Sequence, residues 1–141
     1  GLPMRSLMDV GSGGGLPAVV IAVCFPELKV LSVDAVAKKT TFITQAALEL
    51  GLKNLRAKHS RVENIKEKFD VVTCRAFSSL KDFVSLTESN IGEPGMWLAM
   101  KGRRPDAELQ ELPSFAEVTE VIDLHIPGLG EERSVVLMRH I

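Results

Sequence analysis

The sequence contains no apolar run long enough to cross a bilayer. Residues 16–25 form one of the longest, and with Pro17 and Pro26 at its ends it falls far short of the roughly 20 residues required. No membrane span is expected. The chain has two cysteines, Cys24 and Cys74, and neither has a partner at the short spacing used by metal sites or redox motifs. Both lie in apolar segments and are expected to be reduced core thiols, with no metal bound. Charge of one sign is not in excess either, since 17 Lys and Arg face 18 Asp and Glu, for a net −1. That removes any global attraction for nucleic acid, whose non-specific affinity rests on phosphate contacts. Affinity for RNA must then come from local groups: Lys38 and Lys39; Lys53, Arg56, Lys58 and Arg61; or Lys101, Arg103 and Arg104. Each group alone is also what a solvated face carries. No repeat, linker or low-complexity tract divides the chain. It opens with Gly1, Leu2 and Pro3 and has no basic, apolar and small-residue signal pattern. The reading is a cytoplasmic protein whose true N-terminus lies upstream.

What the chain does have is apolar residues, 45% of 141, enough for one continuous core. They fall in short β-branched runs that alternate with helix-length segments, the pattern of crossover units around a parallel sheet. Strands are expected at residues 7–10, 29–33, 55–59, 69–74 and 96–100, the fourth buried on both faces. Helices are expected at 16–24, 37–50 and from Leu80 onward, with a short one near 107–112 after Pro105. Gly51 reads as a C-cap, and Gly92, Pro94 and Gly95 as a break before the fifth strand. Two final strands, 118–126 and 134–138, are joined by a connection too short for a parallel crossover and should form an antiparallel hairpin.

The segment Asp9-Val10-Gly11-Ser12-Gly13-Gly14-Gly15-Leu16-Pro17 lies between the first strand and the first helix. A strand-to-helix turn so rich in glycine bends sharply and lets a ligand approach bare peptide groups. A flexible loop is the bland alternative, but such loops are seldom framed by an apolar strand and an apolar helix. A dinucleotide fingerprint has glycine at its first, third and sixth positions. Counting from Gly11, the sixth is Leu16, which disfavours a nicotinamide cofactor. Asp9-x-Gly11-x-Gly13-x-Gly15 resembles instead the acidic-plus-glycine signature of S-adenosylmethionine enzymes, with Asp9 offering a carboxylate toward the cationic end of the methionine moiety. Asp34, 23 positions after Gly11 at the end of the second strand, stands close to where an acidic residue meets a ribose diol. Its alternative role is a helix cap.

Further segments match one family in order and spacing: Gly15-Leu16-Pro17, Lys38-Lys39 then Phe42, Ser60-Arg61-Val62-Glu63, Arg75-Ala76-Phe77, and Met100-Lys101-Gly102. The chain resembles the guanine-N7 methyltransferases of bacterial small-subunit (16S) ribosomal RNA, the glucose-inhibited division protein B family, over nearly its whole length. The resemblance implies an α/β, Rossmann-like class I S-adenosylmethionine-dependent methyltransferase, with a mostly parallel sheet and an antiparallel C-terminal hairpin. Residues 1–141 would be its catalytic domain, without the helical extension that precedes this region in full-length members. It also implies cofactor contacts at Gly11, Leu16, Val62, Glu63 and Arg75. Position agrees for several of these. Val62 and Glu63 follow the third strand, so they can offer adenine a wall and an acceptor; a surface turn is the alternative for Glu63. Arg75 ends the buried fourth strand at the ligand-binding edge, where a planar fork can orient a ligand. It is the candidate catalytic residue, its alternative being a structural salt bridge. Lys101, Arg103 and Arg104 are candidates for contact with substrate RNA.

Guanine N7 carries a lone pair and no proton, so its methylation needs no general base and alignment can supply the rate. The sequence has no obvious nucleophile triad, Cys74 lacks the preceding proline of cytosine-C5 enzymes, and the Asn- or Asp-Pro-Pro-aromatic motif of amino-group methylators is absent. The expected partner is ribosomal RNA or the small subunit, engaged by a monomer through an unpaired or extruded base. The competing reading is a non-catalytic, S-adenosylmethionine-binding remnant that serves ribosome assembly.

Overall fold

The computed structural model describes residues 4–11, 16–75, 79–102, 105–125 and 132–141, with the backbone alone at Leu16, Pro17, His125 and Glu132. Its elements run β1 (Ser6–Val10), α1 (Leu16–Cys24), β2 (Lys29–Asp34), α2 (Ala37–Leu50), β3 (Leu55–His59), β4 (Phe69–Arg75), α3 (Leu80–Thr87), β5 (Ile91–Lys101), α4 (Asp106–Gln110), β6 (Ala116–His125) and β7 (Glu132–His140). The strands form one sheet in the order β3-β2-β1-β4-β5-β7-β6. β1 to β5 are parallel, and β7 lies antiparallel between β5 and β6. The order reverses direction between β1 and β4, which makes their carboxyl ends the switch point where open α/β sheets bind ligands.

Alternation along the strands supplies two apolar faces. On one, Met8, Val10, Val72, Trp97 and Ala99 pack against Leu80, Phe83 and Val84 of α3. On the other, Leu7, Val30 and Val71 pack against Ala18 and Ala22 of α1 and Ile43 of α2. Local chemistry fixes the helix ends. Gly51 takes the left-handed conformation (φ 65°) that closes α2. Ser79 caps α3, its Oγ accepting the Asp82 N–H at 3.1 Å. Trp97 is fully buried, and its indole N–H donates to Thr87 Oγ1 at 2.8 Å, so the largest core side chain leaves no donor unsatisfied.

At the amino ends of the strands, side chains tie backbone to backbone. Asp70 accepts the Arg5 N–H at 2.8 Å and the Ser6 N–H at 3.3 Å, while Ser6 Oγ accepts the Asp70 N–H at 3.1 Å. Asn54 Nδ2 donates to the carbonyls of Ala22, Phe25 and Leu28 at 3.1, 3.1 and 2.8 Å, joining the end of α1 to the approach to β2.

Two expectations need correction. Cys74 is buried, but Cys24 is exposed. The buried residues of α1 include Ala18 and Ala22, and Cys24 lies two positions, about 200°, around the helix from the latter. Gly92, Pro94 and Gly95 do not precede the fifth strand; they lie within it. β5 begins at Ile91 and absorbs them through a register shift opposite Phe69 and Val71. Gly95 is required there by space, since an added Cβ would sit 2.5 Å from the Gly92 carbonyl oxygen.

Candidate functional site

The carboxyl ends of β1, β2 and β4 bring several of the expected residues to one edge of the sheet. Gly11 leaves β1 with φ +60°, its N–H donating to the Val33 carbonyl at 2.9 Å, so the turn starts locked to the end of β2. A Cβ at Gly11 would meet nothing within 4 Å; the glycine serves backbone conformation and leaves open space on its α-carbon. Gly13, which completes the expected signature, lies outside the described residues, as does the side chain of Leu16.

Asp34 ends β2 and is 7% exposed. Its Oδ1 accepts the Val36 N–H at 2.8 Å, and its backbone carbonyl accepts the Ser60 N–H at 3.0 Å, which brings the start of α2 and the end of β3 together. The capping alternative therefore describes one oxygen of Asp34, although the residue at the cap position of α2 is Val36. Among the described residues no group bonds the second oxygen, which leaves it available as an acceptor. Val62 and Glu63 fall in a 3₁₀ turn, Val62–Asn64, just after β3. Val62 is buried, and Glu63 is exposed with a carboxylate oxygen 4.0 Å from Arg61 Nη1. Arg75, exposed at the end of β4 and in register with Met100, has no ion pair among the described residues, so the salt-bridge alternative finds no partner there.

Asp9 is enclosed near the carboxyl end of β1. Two positions after Leu7, it points to the α1 face, where it is fully buried, and its Oδ1 accepts the Thr73 hydroxyl at 2.9 Å. This bond braces β1 against β4 immediately before Gly11. Thr73 was missed at the sequence level, though a signal existed: it is one of two polar residues, with Asp70, inside the otherwise apolar run 69–74.

Lys101 lies at the carboxyl end of β5. Its side chain is 11% exposed, and its ammonium lies 2.9 Å from Glu108 Oε1. The same oxygen accepts the Leu80 N–H at 3.0 Å, so Glu108 clamps α4 to the end of β5 and the start of α3. Glu108 carried no signal in the sequence, because the pairing depends on how α4 folds back. Arg103 and Arg104 lie outside the described residues, as do Ala76 and Phe77 of the Arg-Ala-Phe segment. No group of three or more His, Cys, Asp or Glu side chains able to hold a metal occurs among the described residues, and no helix there is long and apolar enough to cross a membrane.

Taken together, the edge offers open glycine backbone, a carboxylate with a spare oxygen, a buried apolar wall and an exposed guanidinium. This set matches the chemistry of a nucleoside bearing an amino-acid moiety: a ribose diol for the carboxylate and an aromatic base for the wall.

Comparison with known proteins agrees. The model of the family described as rRNA small subunit methyltransferase G matches residues 3–137. The chain is 58% identical over 133 residues to ribosomal RNA small subunit methyltransferase G of Paracidovorax citrulli (strain AAC00-1), covering 94% of this chain and 55% of that protein. It is 53% identical over 133 residues to the protein of that name from Polaromonas sp. (strain JS666 / ATCC BAA-500), covering 94% of this chain and 59% of that protein. The chain therefore spans little more than half the length of these relatives. Among solved structures it is similar to TrmN from Thermus thermophilus, with a TM-score of 0.80 at 18% identity over 99% of this chain and 45% of that one. It is also similar to a SAM dependent methyltransferase from Aquifex aeolicus, with a TM-score of 0.75 at 17% identity over 100% of this chain and 85% of that one. At such identities the likeness shows the fold, a Rossmann-like methyltransferase sheet.

Proposed function

Because the chain belongs to the rRNA small subunit methyltransferase G family, we propose that it is the S-adenosylmethionine-binding part of an enzyme that methylates guanine N7 in 16S ribosomal RNA. The observation that carries this reading is the convergence of Gly11, Asp34, Val62 and Arg75 on the carboxyl ends of neighbouring strands at the switch point. S-adenosylmethionine, when bound, supplies an electrophilic methyl group on a sulfonium sulfur. The chain's residues do the holding. Gly11, with Gly13 and Leu16, lets the glycine turn close on the methionine moiety. The spare oxygen of Asp34 accepts from the ribose hydroxyls, and Val62 and Glu63 border the adenine. Asp9, enclosed beside Thr73, fixes the strand end from which the turn departs.

Arg75 is assigned to orient the target base or the cofactor carboxylate, and no residue is needed to remove a proton from N7. Holding N7 in line is worth up to about 7–11 kcal/mol in favourable cases. The enclosed ammonium of Lys101 makes that residue a brace for the substrate mouth, while Arg103 and Arg104 remain candidates for phosphate contact. The proposed working unit is a cytoplasmic monomer that needs no metal, since alignment suffices for this nucleophile.

The test is incubation of the full-length protein with labelled S-adenosylmethionine and 16S ribosomal RNA, as free RNA and as assembled subunit, from a strain lacking the endogenous activity. Mapping should find a single 7-methylguanine. Cofactor binding without any methyl transfer to either substrate would favour a non-catalytic assembly role instead.

A further inference from the structure

The charges that cancel to −1 over the whole chain do not cancel locally. Residues 35–68 carry eight Lys and Arg against three Glu, whereas residues 105–141 carry eight Asp and Glu against two Arg, of which Arg139 pairs with Glu117 at 2.7 Å. The sheet order drives these segments apart, because β3 belongs to the first and forms one edge of the sheet, and β6 belongs to the second and forms the other. The molecule is therefore electrically polarised across the sheet, positive at β3 and negative at β6.

On the positive side, Lys53, Arg56, Lys58 and Arg61 are exposed. Arg56 and Lys58 are two positions apart on one face of β3, roughly 6.6 Å along the strand, a separation comparable with that of successive phosphates on an extended nucleic acid strand. Lys53 and Lys58 have no ion pair among the described residues. Arg56 meets Glu67 at 3.0 Å with both side chains more than half exposed, a surface pair that a phosphate can readily replace. The patch also runs into the candidate site. Arg61 immediately precedes Val62, and His59 Nε2 lies 3.0 Å from the carbonyl of Ala35, next to Asp34. A guard against edge-to-edge pairing would account for a lysine on β3. It would not account for the separation of sign between the two edges or for continuity with the site.

We infer that the β3 edge, through Lys53, Arg56, Lys58 and Arg61, is the surface along which the ribosomal RNA backbone lies, with the β6 edge turned away from it. The inference rests on the proposed function and adds to it a docking surface and an orientation. Opposed charge at the two edges steers the polyanion to one side before close contact is made.

The test uses the full-length protein, transcribed 16S ribosomal RNA and a range of salt concentrations. K53A/K58A should bind RNA roughly four- to fivefold more weakly per lost contact near 0.15 M salt, and its slope of log affinity on log salt should flatten by about 0.7–0.9 per contact. Its affinity for S-adenosylhomocysteine should be unchanged, which also shows that it is folded. Glu120→Gln, an exposed change on the opposite edge, should leave RNA affinity unchanged or slightly raised. If K53A/K58A keeps the wild-type affinity and slope while the wild type methylates the RNA, the docking surface is wrong and the functional reading stands. If the wild type neither binds the RNA nor methylates it, free or in the assembled subunit, both fall.

Discussion

The two ends of the parallel strands are built from similar side chains put to different use. At the amino ends, Asp70, Ser6 and Asn54 are committed to backbone groups, in six hydrogen bonds that stitch β1 to β4 and α1 to the approach to β2. At the carboxyl ends, Arg75 is exposed without an ion pair among the described residues, and Asp34 engages one oxygen of two. A cavity of about 480 Å³, lined by Met4, Arg5, Asp70, Val71, Pro94, Gly95 and Met96, opens at the amino ends.

If that contrast is right, substitutions at the two ends should damage different quantities. The largest effect is expected for Arg75→Ala, which should lower turnover at saturating RNA by about 100-fold or more through lost alignment. Its thermal midpoint should stay near the wild-type value, because Arg75 is exposed. Wild-type turnover in single-turnover assays would break the comparison at its functional end. Next, Asp34→Ala should weaken S-adenosylhomocysteine by roughly 10- to 150-fold in calorimetry, the equivalent of the about 1.5–3 kcal/mol carried by a charge-assisted hydrogen bond. Unchanged affinity would reduce Asp34 to its turn with Val36. The smallest effect on the site is expected at the other end. Asn54→Ala should cost about 1–3 kcal/mol of folding stability in denaturant titrations, because it strands carbonyls that it now satisfies. Its affinity for S-adenosylhomocysteine, measured where the variant is folded, should be unaltered; a loss there would mean that the two ends are coupled.

Most of this fold is legible in the sequence wherever an apolar run is bounded by glycine or proline. α1, α2 and β3 fall where periodicity puts them, because their ends are set by local chemistry such as the left-handed Gly51. β5 is not, because Gly92, Pro94 and Gly95 resemble a break unless the bulge facing β4 is known, and that bulge is a property of two strands together. Cys24 is misjudged for another reason: α1 is apolar on every side, so its pattern does not reveal which face will be covered. At the site, the glycine turn and Asp34 are legible as spacing between a strand and a helix. The ion pair of Lys101 with Glu108, and the enclosure of Asp9 by Thr73, depend on contacts between elements distant in sequence, which no local pattern encodes. The polarity between β3 and β6 is half legible: the charge runs can be counted, but their separation needs the strand order.

The position of β7 has a consequence for how the chain is made. β6 is synthesised before β7, yet it is held in the sheet only through β7, so the growing chain presents the outermost strand before the strand that anchors it. In that interval β6 exposes Ile122 and Leu124, which are still 38% and 42% accessible in the finished fold, alongside unpaired backbone on both sides. Glu117, Glu120 and Asp123 then act as gatekeepers, discouraging β6 from joining another copy while it waits. β7 pairs with β5 on one side and β6 on the other, so its placement closes both open edges.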